Sequence, residues 1–206
     1  LFSESMSDEA CLTRLHWREY CGRRFEKAWL EPVSRWCHEH QLKLVGHISP
    51  EDDPIEQANC VSNLFPLFKY FDLAGIDLII PAVGDRDHPL LNVGCTSANS
   101  FAQQHNKMGV MSETGACSGL DFTAEGFGRL VKWQTVMGIT APIVHCAFSS
   151  VRGLRAYDFP ANYGPNNPNI WPGMPKLHHE LAEIQAFIRD ARQIAPVAIL
   201  WTIRSF

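Results

Sequence analysis

Four short apolar runs punctuate the chain, at residues 42–48, 76–83, 109–112 and 143–148. Their centres recur roughly every 33 residues, about the length of one strand with its crossover helix. Helical spacing fills the gaps. Phe127, Leu130, Val131, Gln134 and Met137 lie on one face of a helix, with Thr123 placed to cap its start and Gly138 to stop it. Phe25, Trp29, Val33, Trp36 and Cys37 form a stripe on a long upstream helix that Pro32 bends or restarts. Leu177, Leu181, Ile184, Phe187 and Ile188 form another downstream.

Strands alternating with helices imply a parallel sheet, doubly wound or curled into a barrel. No strand leads into G-x-G-x-x-G, since Gly126-Phe127-Gly128 falls inside a helix, which lowers the dinucleotide-binding alternative. Polar residues instead gather where each strand ends: His47 and Glu51, Asp85 and Asp87, Ser112 and Glu113, His145 and Ser149. Barrel enzymes build their sites on that face. The pattern therefore predicts an α/β fold, the C-terminal half of a (β/α)8 barrel spanning residues 1–195. Residues 196–206 read as the first strand of a following domain, because the run from Val197 comes roughly 54 residues after the preceding strand. There is no initiator Met, and both ends read as cuts from a longer polypeptide whose other domains are its partners.

Composition adds mainly exclusions. Of 206 residues, 46% are hydrophobic and 19% charged, a globular balance. Net charge is −4 with no basic run, so there is no electrostatic case for nucleic acid. No apolar run is long enough for a bilayer. The seven Cys are odd in number, irregularly spaced and free of C-x-x-C, which reads as scattered thiols in a reducing, cytoplasmic compartment.

Glu113 carries the strongest chemical signal. It follows Gly109-Val110-Met111-Ser112 and precedes Thr114-Gly115, so an apolar strand delivers a carboxylate to its rim. Apolar walls there raise a carboxyl pKa, as an acid catalyst needs. Glu51 is the second carboxylate, although Glu51-Asp52-Asp53 after Pro50 equally suits the solvated start of a helix. His47 and His145, at matching strand ends, suit donation to a sugar hydroxyl or orientation of a carboxylate, as well as a satisfied core role. The segment 151–175 is rich in Gly, Pro and Asn. Its Tyr157, Tyr163 and Trp171 suit stacking on sugars, and Arg152, Arg155 and Asp158 suit hydroxyl binding; loop packing is the competing role. His178-His179 reads as a surface pair.

The run from Trp36-Cys37-His38 through Leu42 to Gly46-His47 resembles a stretch of large bacterial glycoside hydrolases related to the family 106 α-L-rhamnosidases, with Gln41 where those have Gly. Similar stretches follow in the same order. They are Tyr70-Phe71-Asp72 to Asp77, Met111-Ser112-Glu113-Thr114-Gly115, Lys132-Trp133-Gln134 through Gly138-Ile139, His145 to Asp158, and Pro168 to Pro172. The resemblance implies a catalytic barrel with accessory domains, acting on α-linked deoxysugars. It implies two Glu as acid and base, with inversion, and a calcium ion near the substrate. Glu113, and less closely Glu51, fall on the matching motifs. Two other classes stay open: a metal-dependent hydrolase using His47, His145 and Asp residues, and a non-catalytic sugar-binding barrel.

Overall fold

The structure is a computed structural model describing residues 4, 6–79, 83, 87, 93–153, 162–188, 191 and 193–203. Its centre is one parallel sheet of four strands: β1 (Val45–His47), β2 (Leu73–Leu78), β3 (Gly109–Thr114) and β4 (Ala141–Val144). They stand side by side in chain order, β1-β2-β3-β4, every pair parallel. Among the described residues the order runs without reversal, with no topological switch point of the doubly wound kind. The helices that follow β2 and β3 pack on one face of the sheet. This connectivity of four strands is compatible with part of a barrel.

The strand bounds differ from the apolar runs, and the ladder explains why. β2 starts at Leu73, which pairs with Val45 on one side and Gly109 on the other. β3 runs on to Thr114, so Glu113 is a ladder residue rather than the first group beyond it. β4 begins at Ala141 and ends before His145. Pairing sets a strand's limits, and hydrophobicity alone does not report it.

Period-two alternation separates the faces. Ala74, Ile76, Leu78, Val110, Ser112 and Thr114 are buried on the helix-covered face. There Ala74, Ile76, Leu78 and Val110 pack with Cys95, Ala98, Phe101 and Ala102 of α4 (Gly94–Gln104) and Leu130 of α5 (Ala124–Val136). The other face carries His47, Gly75, Met111, Asp77 and Glu113 by register. Gly75 is there because two backbones meet: a Cβ on it would overlap the Gly46 carbonyl of β1.

α5 matches its sequence reading closely. Thr123 Oγ1 accepts the Gly126 N–H at 3.1 Å, Gly138 (φ +102°) follows the helix, and Phe127, Leu130, Val131 and Gln134 are buried. α6 (Met174–Ile188) packs through Leu177 and Leu181 against Phe127 and Val131, but its stripe fades, and Phe187 is exposed. Upstream, α1 (Asp8–Phe25) passes through a π-helical turn, Glu26–Leu30, into α2 (Glu31–Glu39). Pro32 lies in the first turn of α2, directly after the π turn. The extra residue of the π turn shifts the helix face. Leu30 and Ser34 are buried, whereas Trp29 and Trp36 of the expected stripe are half exposed. Glu26 in that turn accepts from Lys69 Nζ and Tyr70 Oη, both at 2.7 Å, and Ser34 Oγ donates to Tyr70 O, fixing the approach to β2. The short α3 (Pro54–Cys60) completes the set.

The run from Val197 forms no strand. Val197, Ile199 and Leu200 are exposed, with no ladder partner among the described residues. All seven Cys are free thiols. Among the described residues no helix is long and apolar enough to cross a membrane.

The close β1–β2 contact makes Gly75→Ala an informative change. Overpacking against backbone costs about 1–3 kcal/mol or more. Urea unfolding of the full-length variant should show a loss of that size, and a wild-type midpoint would contradict the packing described.

Candidate functional site

Four ionisable side chains converge at the carboxyl ends of the strands. His47 is the last residue of β1, Asp77 lies near the end of β2, Glu113 near the end of β3, and His145 immediately follows β4. Asp77 and Glu113 are direct register partners, so their side chains rise from the same face of adjacent strands. His47 reaches Glu113 across β2, and its register partner there is Gly75, which presents no side chain in the way.

The His47 ring bridges two carboxylates. Its Nδ1 is 2.7 Å from Glu51 Oε1 and its Nε2 is 3.0 Å from Glu113 Oε2. His145 Nε2 lies 3.7 Å from the other Glu113 oxygen. A neutral imidazole can donate from only one nitrogen, so two acidic acceptors favour the doubly protonated ring. The hydrogen bond that the ring donates to Glu51 is the main cause that holds His47 up at about 9. Burial opposes it, and the charges of Glu51, Asp77 and Glu113 add to it.

Asp77 is half-buried, and burial, followed by the charge of Glu113, pushes its carboxyl up to about 6. Its Oδ1 is buried without a hydrogen-bond partner among the described residues. One carboxyl thus keeps its proton to higher pH than an ordinary Asp, and its register partner is paired with the His47 ring. One ligand-type atom from each of His47, Asp77 and Glu113 lies within 4.8 Å of the other two.

Of the residues singled out in the sequence, Glu113, His47, His145 and Glu51 come together. Glu51 does so from behind. It is 3% exposed, its carboxylate is bonded to His47, and its backbone carbonyl accepts Gln57 Nε2 at 2.7 Å. The solvated-helix alternative fits its neighbour Asp53 instead, whose carboxylate caps α3 at Ile55 N and Glu56 N. Ser112 is not in the site. It is fully buried on the opposite face, where Thr114 Oγ1 donates to its Oγ at 3.2 Å, because a strand neighbour of Glu113 must point the other way. Tyr163 is not a stacking platform either: it is buried against Phe127, and its Oη donates to Gly115 O at 3.1 Å. That contact seats the turn after β3, where Gly115 has φ +81°. Arg152 is exposed, and Trp171 is about half exposed at the turn preceding α6. Asp87 is exposed, His178 and His179 lie on the surface of α6, and Asp85, Arg155, Tyr157 and Asp158 fall outside the described residues.

The residue missed in the sequence is Asp77. It interrupts the apolar run 76–83, and an acid inside a strand covered on one face and flanked on both edges is itself a signal, since such acids are rarely buried without a role.

The donor set does not fit calcium, which takes six to eight oxygen ligands. Here an imidazole stands with two carboxylates, and the next neighbour, His145, brings another nitrogen. Mixed nitrogen and oxygen donors suit a transition ion better.

No protein-family model, curated protein or solved structure matches the chain.

The raised His47 has a thermodynamic consequence. Between its ordinary value of 6.5 and about 9 the folded chain binds more protons than the unfolded one. The stabilisation is fully present below 6.5 and is lost as pH rises through about 9. Thermal unfolding at constant ionic strength should show Tm falling across that window, with the fall reduced in His47→Gln. Parallel profiles for the two proteins would contradict the imidazolium assignment.

Proposed function

We propose that this chain carries the reacting centre of a glycoside hydrolase, on the C-terminal rim of half of an eight-stranded (β/α)8 barrel. The observation that carries the reading is the register-paired Asp77 and Glu113, one carboxyl raised to about 6 by burial and the other ion-paired to His47. Two carboxyl groups with environments that separate their protonation are what acid-assisted glycosidic cleavage requires. The resemblance to rhamnosidase-related enzymes supports an α-linked deoxysugar glycoside as substrate.

In this reading Asp77 gives its proton to the glycosidic oxygen as the bond to the anomeric carbon breaks. Glu113 forms the new bond to that carbon. A water then loses its proton to Asp77, now a carboxylate, and displaces Glu113. Atoms no more than 4.8 Å apart leave no room for a water between the two groups, which favours this two-step, configuration-retaining route. It departs from the inversion and the pair of glutamates that the resemblance implies, because Glu51 stands behind His47 rather than beside the open face. No step passes through calcium. The exposed apolar residues Val45 and Ile143, on the edge strands β1 and β4, suit cover by the remaining domains of the same polypeptide.

The test is turnover of nitrophenyl glycosides, α-L-rhamnoside first, by the full-length protein. Asp77→Asn and Glu113→Gln should each lower kcat by about 10²- to 10⁴-fold with the fold intact. The wild-type kcat/KM should decline as pH rises through about 6, where Asp77 loses its proton. The first product seen by NMR should keep its anomeric configuration. Wild-type rates in either variant would refute the pair, and an inverted product would move the second carboxylate to Glu51. Activity lost on chelation and restored by zinc or manganese would replace acid–base catalysis with a metal centre.

A further inference from the structure

Among the described residues, His47, Asp77 and Glu113 form the group of side chains close enough together to share a metal ion, one ligand-type atom of each lying within 4.8 Å of the other two. A zinc-type ion sits about 2.0–2.2 Å from its nitrogen and oxygen donors, so neighbouring donors on it stand about 3–3.5 Å apart. His47 Nε2 and Glu113 Oε2 already stand at 3.0 Å. Asp77 is the register partner of Glu113 on the adjacent strand, and a small rotation of its side chain suffices to close the remaining gap.

Two further observations point to an ion. Asp77 Oδ1 is buried with no hydrogen-bond partner among the described residues. A buried carboxylate oxygen without a donor has lost its water and gained nothing in return, and a cation supplies what it lacks. His47 is held as metal-ligating imidazoles are held, with its other nitrogen on a carboxylate: Nδ1 is 2.7 Å from Glu51 Oε1. Glu51 is itself fixed, 3% exposed and with its backbone carbonyl accepting Gln57 Nε2. Anchoring Nδ1 behind the ring directs Nε2 forward, toward Glu113.

We propose that His47, Asp77 and Glu113 form a binding site for a divalent transition ion of the zinc class, with Glu51 orienting the imidazole from behind. The ion takes the place of the proton between His47 Nε2 and Glu113. His145, whose Nε2 is 3.7 Å from the other Glu113 oxygen, stands beside the site as a fourth donor. One donor thus comes from the end of each of the four strands. The site goes beyond the hydrolase reading and does not rest on it. An ion bound there occupies both carboxyl groups of the hydrolytic route, so ion binding and glycoside cleavage exclude one another.

The experiment is a titration of the full-length protein with cobalt(II), followed by its visible absorption, with zinc and then calcium added as competitors. The wild type should bind one cobalt per chain, and zinc should displace it where calcium does not. Glu51→Gln should weaken binding by about 10- to 100-fold, the usual cost of losing the outer partner of a ligating imidazole. His47→Gln, Asp77→Asn and Glu113→Gln should each weaken it further. His179→Gln, which removes an exposed imidazole 3.4 Å from Glu183 on α6, should leave it unchanged. A wild type that takes up no stoichiometric cobalt overturns the proposal without any variant, so failure of a variant to fold does not protect it. Binding that survives all three ligand variants overturns it as well. So does thiolate-to-cobalt charge transfer, which puts the ion on cysteine, or binding lost in His179→Gln, which puts it on α6. In activity, zinc should inhibit glycoside cleavage over the concentrations that displace cobalt, and turnover unaffected by bound zinc overturns the mutual exclusion. If the wild type cleaves no glycoside, or cleaves it only with zinc bound, the acid–base reading fails while the cobalt titration still decides the site.

Discussion

The His47 ring, 2.7 Å from Glu51 and 3.0 Å from Glu113, is the contact on which the candidate site depends. It joins the segment after β1 to β3 across an intervening strand. The charge it carries balances a carboxylate on either side, one buried and one facing the open end of the sheet. Without that cation, Glu51, Asp77 and Glu113 would crowd three negative charges into a half-buried space, and like charges at such distances do not all ionise. Burial first, and then the charge of Glu113, raises Asp77.

Backbone geometry makes the arrangement possible. Parallel pairing in exact register puts Asp77 opposite Glu113. Successive strands in chain order bring each polar end to one rim, which is why residues separated widely in sequence meet. The empty position at Gly75 serves two purposes, letting β1 and β2 approach and leaving a path for the imidazole.

Features set by local chemistry were legible in the sequence. The Thr123 cap, the Gly138 stop and the buried stripe of α5 depend on residues a few positions apart, and they stand as read. The existence, direction and order of the four strands also followed from spacing. Strand limits did not, because they are decided by partners: Leu73 belongs to β2 through Val45 and Gly109, and Val197–Trp201 lacks such partners among the described residues. Glu113, His47 and His145 were visible as polar groups ending apolar runs. Asp77 was hidden because the apolar run 76–83 starts three residues after β2 does and so does not show it near the strand's end. Ser112 was misplaced for the converse reason, since adjacency in sequence puts a strand residue on the opposite face from its neighbour. The burial of Glu51 behind an imidazole depends on the third dimension, and no spacing rule announces it.

Behind Glu113, on the helix-covered face, Thr114 Oγ1 lies 3.2 Å from both Ser112 Oγ and Gln134 Oε1, all fully buried. A parallel strand that slips by one residue exchanges its faces and would turn Glu113 toward the helices. An all-apolar interior resists such a slip only weakly, since one aliphatic side chain replaces another at small cost. A buried polar ladder resists it strongly, because the hydroxyls and the amide would lose their partners and apolar residues would take their place. Ser112, Thr114 and Gln134 therefore act as a register lock: side chains that never meet the open face keep the carboxylate on it.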